Sequence, residues 1–556
     1  MFLLEYLLAS VHVIPRRSQH YSADSEVTKS KIQTHRWFAA VTRLLNSTRP
    51  STLALAIFLL TTFMMLMYRP FSQAESGDSA FYDYFAQLIL RGQIPYRDAI
   101  DIKAPGSFYL SALAMGAGRA VGVRDIIAAR LFHILLAGLL SVVVYLVGEA
   151  YLRDRFAALL AVATLLMSQH FGLWTVGGGQ PKLPMILFGM LTLLLTSRDK
   201  PFLAGFCSML SCLCWQPGLL FTGATFLIFS RYLTNWRDFR ALRVLGGAAI
   251  PLAILLAYFR AYGALSDLWN WTVVFNYSVY SRKALESDVS PLAHMTSVVL
   301  KIYGIDILLV AISLIGFVIF AGKRVRERVN RLTGSEDLYR DAIVIAPAVY
   351  FVACLIRFNA GPYLIPFLPF IGLFFGWAIV ELSNIISKRW LSKSLADFKA
   401  GIQIILIVIL VSVADYRAVA YRFESIQTLQ AQDQTFRAVW RILNEADPIY
   451  VHGTTELLVL LDRSNLNPYI FLDFGKDDYI AAQKYGGSFV ALIDEIEAQA
   501  PKVIALSRLQ RVSHRNELRQ WAERHYVSLG LPGYEEISVR KSEAEPGKAS
   551  NDALQK

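Results

Sequence analysis

Uncharged apolar runs recur along this chain at 51–68, 131–148, 156–168, 183–196, 244–259, 307–321, 342–356, 363–380 and 401–414. A helix needs about 20 apolar residues to cross a hydrocarbon core of roughly 30 Å, so these runs are candidate membrane spans. A further apolar stretch, 201–230, is interrupted by Trp215-Gln216-Pro217-Gly218 and reads as one broken helix or two short ones. With 55% hydrophobic and only 18% charged residues in 556, there are too few charges to coat several soluble globules, which excludes a water-soluble enzyme. The four cysteines do not suggest a disulfide frame or a metal cluster, because Cys207, Cys212 and Cys214 lie inside an apolar run and read as small core residues.

The formal charge is +12, from 55 Lys plus Arg against 43 Asp plus Glu. In an apolar chain such an excess points to membrane orientation rather than to nucleic acid. The first 50 residues carry Arg16, Arg17, Lys29, Lys31, Arg36, Arg43 and Arg49, which predicts a cytoplasmic N-terminus. Following the spans alternately, the basic connections 153–155, 198–200, 231–243, 323–341 and 388–399 all fall inside. This phase holds only if 201–230 crosses twice, giving about 11 spans and an outside C-terminal segment; each half, at ~13 residues and ~20 Å, is short. The predicted architecture is therefore a polytopic α-helical membrane protein with a small C-terminal α/β domain. Its parts are an arm at 1–50 with an interfacial helix in 2–14, a transmembrane module at 51–416 with an outer loop at 69–130, an extracytoplasmic α/β domain at 417–540, and a polar, disordered tail at 541–556. Within the α/β domain, 448–452, 502–506 and 526–529 read as strands, and 492–500 and 513–525 as helices.

The first outer loop reads Glu75-Ser-Gly-Asp78-Ser-Ala-Phe-Tyr82-Asp83-Tyr84-Phe-Ala-Gln87, then Arg91-Gly92-Gln-Ile-Pro95-Tyr96-Arg97-Asp98-Ala-Ile-Asp101-Ile-Lys103-Ala-Pro105-Gly106. Acids and bases this dense beside apolar spans must face water, pair with each other or surround a polar ligand, because an unpaired charge near lipid costs a few kcal/mol. A solvated loop laced by salt bridges and a ligand site both satisfy that condition.

The order of Asp78, Tyr82, Gln87, Gly92, Pro95, Tyr96, Asp98, Lys103 and Pro105 resembles the first outer loop of GT-C glycosyltransferases, and most nearly the bacterial protein-mannosyltransferase-like and aminoarabinose-transferase-like families. The match covers about thirty residues, with a similar layout of spans over the rest. The resemblance implies a hexosyl- or pentosyltransferase that uses a polyprenyl-phosphate sugar on the outer face of the bacterial inner membrane. Its acceptor would be a glycan, a lipid or a protein, with no nucleic-acid partner. Asp78 falls on the family's catalytic acid, and Ser79 stands where a second acid is usual. Lys103 falls on the lysine assigned to the lipid phosphate, with Ala104 replacing a proline. Arg97 and Asp98 fall on an Arg-Asp pair in which Asp98 fixes the loop, and Tyr82 and Tyr96 belong to the same substrate-binding set. The chemistry suits these residues, since transfer needs a base for the acceptor hydroxyl and positive groups for the departing phosphate. A divalent metal wants several oxygen ligands and no Asp-x-Asp element is present, so a metal-independent site is favoured.

Arg260, Arg282, Lys283 and Arg357 lie near outer ends of spans, where they meet a phosphate or simply snorkel. Arg357, Arg282 and Tyr363 join the substrate-binding set; Tyr363 matches the family element before a Pro-broken span, and Pro362 replaces its usual His. Gly177-Gly178-Gly179-Gln180 reads equally as flexible backbone beside a sugar and as a turn, His170 as structural, and Trp215–Gly218 as a helix break at Pro217. Tyr450-Val-His452-Gly453 is too short to count as a phosphate-binding turn, and the C-terminal domain is given at most a supporting role. The rival from another class is a transporter or lipid flippase. That reading expects binding charges near the bilayer midplane and two similar halves, whereas here the charges gather in one outer loop.

Overall fold

The computed structural model describes residues 47–230, 239–280, 290–330, 335–356, 358, 361–390, 396–421 and 428–543. The expected interfacial segment at 2–14, Arg282, Lys283, Arg357 and the tail beyond Glu543 lie outside the described residues. Every apolar run of the sequence is helical: α1 Pro50–Met67, α4 Asp125–Leu152, α5 Arg155–Met167, α7 Lys182–Ser197, α8 Pro201–Cys214, α9 Leu219–Ser230, α10 Arg240–Ala261, α12 Ile307–Val329, α13 Ala342–Ile356, α14 Leu368–Trp390 and α15 Ala396–Tyr421. Among the described residues, 7 helices are long and apolar enough to cross a membrane. The pair α5 and α6 (Gln169–Val176) makes one more if counted as a single span bent by 64°. The run 201–230 is two helices, α8 and α9, separated by a 3-10 turn at Gln216–Gly218. At 1.5 Å per residue they are about 21 and 18 Å long, short of a full hydrocarbon core.

Small residues let these helices touch backbone to backbone. A Cβ on Gly372 or Gly376 of α14 would stand 2.5 Å from the Ala161 carbonyl oxygen or 2.2 Å from that of Ala157, both on α5. Glycine four residues apart on one helix against alanine four apart on its neighbour is the close packing that membrane helices use in place of a hydrophobic driving force. Proline opens α1 and α8 at a position where the missing N–H costs nothing, and the Asp154 carboxylate caps α5 by accepting from Ala157 N at 2.9 Å.

Two shorter helices, α2 (Gly77–Leu90) and α3 (Gly106–Ala120), follow α1. Aromatics weld them together: Phe85 and Phe108 stack at 4.3 Å with 17° between their planes. Beyond α15 comes α16 (Leu429–Ile442), then a four-stranded sheet ordered β1-β2-β4-β3 with helices on it. β1 (Ile449–His452) and β2 (Val503–Leu506) are parallel, while β3 (Tyr526–Ser528) and β4 (Ile537–Arg540) pair antiparallel. The strands and the two helices anticipated here are present, the latter as α19 (Phe489–Ala498) and α20 (Arg515–His525); β4, α17 (Thr455–Leu461) and α18 (Lys476–Lys484) were not anticipated.

The sheet unit is bolted to the segment between α1 and α4 rather than tethered beside it. Gln432 both accepts from Glu75 N and donates to Glu75 O, each at 2.7 Å. Asn465 N donates to the Tyr84 hydroxyl at 2.9 Å, and Ile100 N to Pro468 O at 3.0 Å. Arg91 pairs with Asp462 at 2.6 Å. Phe81 meets Phe471 at 5.4 Å, so one aromatic core runs from α2 into the sheet unit.

Candidate active site

Helix α2 opens at Gly77, whose φ of +59° is one that glycine adopts freely, and this places Asp78 in the first turn, at the end of the bundle where the sheet unit docks. The Asp78 carboxylate lies 3.4 Å from Lys182 Nζ. Lys182 opens α7 and its side chain is only 5% exposed, whereas that of Asp78 is 46% exposed. The buried ammonium rests on two indoles, with Trp174 at 4.5 Å and Trp215 at 5.7 Å.

Lys103 reaches the same place from the other side. Its ammonium lies over the rings of Tyr82 and Phe81, at 5.1 and 5.4 Å. The loop that carries it is fixed at several points. The Tyr96 hydroxyl donates to Lys103 O at 2.6 Å, and Gln216 Nε2 and Asn276 Nδ2 both donate to Ile102 O at 2.7 Å. A Cβ on Gly106 would stand 2.6 Å from Leu213 O, so the loop also packs directly on the end of α8. The Trp215–Gly218 break is therefore more than a helix interruption, since it supplies the indole under Lys182 and the amide that holds the Lys103 loop.

These charges set one another's ionisation. The charge on Lys103 holds the Asp78 carboxyl well below the usual carboxylate range against the opposing effect of burial, with Lys182 and then Arg508 adding to it. Burial alone would lower the Lys103 pKa, but the Tyr82 phenol, Asp78 and Asp101 outweigh it and raise it well above its ordinary value. Asp101, buried beneath, is pushed up by desolvation, with Lys103 and Lys476 partly offsetting the shift. The site thus holds an ionised carboxylate inside an excess of positive charge. A divalent cation would find one carboxylate among ammonium groups, and Ser79, where a second acid would stand, lies against Gly177. This donor set does not fit a metal.

Other candidate residues serve the frame. Arg97 and Asp98 form a two-point pair, at 2.9 and 2.8 Å; Asp98 also accepts from Ile94 N at 2.7 Å, and Arg97 donates to Tyr262 O at 3.2 Å. These contacts clamp the loop. Tyr82 is fully buried beside Lys103, and Tyr363 meets Trp215 at 5.2 Å. His170 Nε2 lies 3.3 Å from Ile302 O, a structural contact. The glycine run packs closely on α2: a Cβ on Gly179 would fall 2.6 Å from Asp83 Oδ1, and one on Gly177 2.8 Å from Ser79 Oγ.

Lys182 and Arg508 were not anticipated. Lys182 did carry a signal, since a lone lysine at the start of an apolar span must be paired or serve a ligand. Arg508 carried none, because only the docking of the sheet unit brings it to Asp78.

No family model matches the chain, and no curated protein matches it in sequence. Solved structures do match. ArnT from Cupriavidus metallidurans, bound to undecaprenyl phosphate, superposes with a TM-score of 0.57 at 13% identity, covering 89% of this chain and 99% of that one. The chain has the GT-C fold. The Archaeoglobus fulgidus oligosaccharyltransferase, tethered with an acceptor peptide, matches with a TM-score of 0.51 at 13% identity over 85% of this chain and 72% of its own. At such identities the likeness concerns the polytopic helical architecture; the chemistry must rest on the site itself.

Proposed function

We propose that the protein is an inverting membrane glycosyltransferase that moves a sugar from a polyprenyl phosphate to an acceptor hydroxyl on the outer face of the inner membrane. The observation that carries this reading is the meeting of ionised Asp78 with Lys103 and Lys182 at the outer end of an apolar bundle. The N-terminus would be cytoplasmic, the module 51–416 would carry the site, and the sheet unit would be extracytoplasmic. Both fold relatives are glycosyltransferases, and one was solved with undecaprenyl phosphate, which supports a lipid-phosphate donor.

The acceptor oxygen attacks the anomeric carbon, and its proton passes to the Asp78 carboxylate. The bond from that carbon to the phosphate oxygen breaks, and its electron pair leaves with the phosphate. A singly charged diester becomes a doubly charged monoester while Asp78 becomes neutral, so charge is conserved and shifts towards the lysines. Lys103 and Lys182 lie where that charge develops, and such preorganised stabilisation is commonly the largest catalytic contribution. The same shift removes the handicap of an acid held so strongly ionised: as the phosphate takes over the lysine charges, Asp78 regains basicity. Asp78 acting as base, with Ser79 rather than an acid beside it, supports one displacement and hence inversion. Tyr363 would line the substrate; Tyr82, fully buried under the Lys103 ammonium, would position that lysine instead, and Tyr96, Arg97 and Asp98 would hold its loop.

The test is to incubate purified full-length protein in liposomes with a panel of labelled undecaprenyl-phosphate sugars. Cleavage of label from the carrier, with transfer to an acceptor in added envelope extract, is the expected result. Movement of intact lipid across the bilayer without cleavage would overturn the reading in favour of a flippase.

A further inference from the structure

The sheet unit presents the carboxyl ends of its two parallel strands to Asp78. In α/β sheets the crevice outside those ends is where ligands are held. The loops leaving β1 and β2 are locked together: a Cβ on Gly453, at φ +89°, would stand 2.4 Å from Ser507 Oγ. Buried His452 ties a third segment to them, with Nδ1 2.8 Å from Ser507 O and Nε2 accepting from Leu472 N at 3.0 Å. This pairing sets the tautomer, since Nδ1 faces an acceptor and Nε2 a donor.

Arg508 follows directly, in the left-handed region at φ +56°, where a non-glycine residue is strained and such strain gathers at functional sites. Its guanidinium lies over Phe471 at 5.7 Å, and one of its nitrogens is 3.8 Å from where a Cβ on Gly77 would be. It therefore stands at the amino end of α2, whose N-cap Ser76 makes no side-chain cap. Arg91, Arg124 and Arg540 are held by Asp462, Asp433 and Glu497. By contrast, no carboxylate pairs with Arg508 among the described residues, although its charge reaches Glu456 from beyond ion-pair range. Its side chain is exposed, with one guanidinium nitrogen beside Gly77, the residue before Asp78, whose carboxylate feels its charge.

We propose that Arg508 binds a phosphate group over Asp78, so that the C-terminal unit completes the active site instead of merely covering it. This rests on the proposed glycosyl transfer. The charges fit, because the phosphate gains a second negative charge on leaving as Asp78 loses its own, so a cation beside Asp78 follows the charge that moves on to the phosphate. A planar guanidinium can meet two phosphate oxygens at once. The phosphate is that of the lipid carrier or a phosphate on the acceptor; the two share this chemistry and are separable by experiment.

The experiment uses full-length protein in detergent micelles, as wild type, R508A, R508K and K103A, with thermal midpoints measured to verify folding. Three affinities are taken: for undecaprenyl phosphate, for undecaprenol, and for inorganic phosphate with undecaprenyl phosphate already saturating. Loss of one charged hydrogen-bonding partner should weaken binding roughly 10-fold to 100-fold. If R508A weakens undecaprenyl phosphate by that factor and leaves undecaprenol unchanged, with R508K between, Arg508 holds the carrier phosphate. If undecaprenyl phosphate is unaffected but inorganic phosphate binds beside it in wild type and not in R508A, Arg508 holds an acceptor phosphate. R508A equal to wild type in all three affinities overturns the proposal. A wild type that does not prefer undecaprenyl phosphate to undecaprenol, or a K103A that binds it fully, would overturn the underlying reading instead, whatever R508A does.

Discussion

Replacing Lys182 with methionine removes a buried cation while keeping a side chain of similar length on Trp174 and Trp215. At 3.4 Å, and with an effective dielectric of ~20, the gross attraction between Lys182 and Asp78 is about 5 kcal/mol. That figure is an upper bound, because Asp78 is half open to water and solvent screens the pair. Charged hydrogen bonds measured by deletion are worth ~1.5–3 kcal/mol, which is the fitting scale for a phosphate that takes over this ammonium. The affinity for undecaprenyl phosphate should therefore fall roughly 10-fold to 100-fold in K182M. The thermal midpoint should hold or rise, since a buried charge has been exchanged for a thioether that packs well on aromatic rings. Affinity can be measured by calorimetry in micelles, and unfolding by the fluorescence of the indoles that flank the site. An affinity within about twofold of wild type would refute a role for Lys182 at the phosphate. A collapsed midpoint would show that the lysine holds the fold instead.

Other expectations follow from the same contacts. Glu75 and Asp83 are both buried around the single guanidinium of Arg130, 2.7 Å from Glu75, and burial pushes both carboxyls up. The native state therefore keeps a proton that the unfolded chain, with carboxyls near ~4.3, would release, so stability is lost as pH rises through neutrality. The thermal midpoint should fall between about pH 5 and 8, and less steeply in E75Q. Because Asp78 is held below the usual carboxylate range and must be ionised to act, kcat/KM should stay flat down through the ordinary Asp range, ~3.9, and decline only below it. G179A places a Cβ 2.6 Å from Asp83 Oδ1 and 2.8 Å from Tyr82 Cβ, so it should cost about 1–3 kcal/mol and reduce activity by displacing α2. G223A, with nothing within 4 Å, should be neutral by the same thermal assay.

The membrane architecture was legible because desolvation acts on long runs of sequence: each apolar run became a helix, including the two short ones that the charge phase required at 201–230. The Asp78 and Lys103 positions were legible because they sit in one continuous loop with a strong spacing pattern. What was not legible depends on contacts between distant segments. Lys182 reaches Asp78 from 104 positions away, and Arg508 arrives only through docking of the sheet unit. Arg97 illustrates the converse: a basic residue adjacent in sequence to the site is committed by geometry to Asp98 and Tyr262 O. The glycine run, open in sequence to a turn or a ligand contact, is explained by close packing on α2.

The most direct test of Asp78 as the base is the D78N variant, assayed for sugar transfer and for undecaprenyl-phosphate affinity in the same preparation. Asparagine keeps the shape but accepts no proton and adds no negative charge beside Lys103 and Lys182. Transfer should be lost while the lipid phosphate binds at least as tightly as in wild type. Full transfer by D78N would contradict Asp78 as the base.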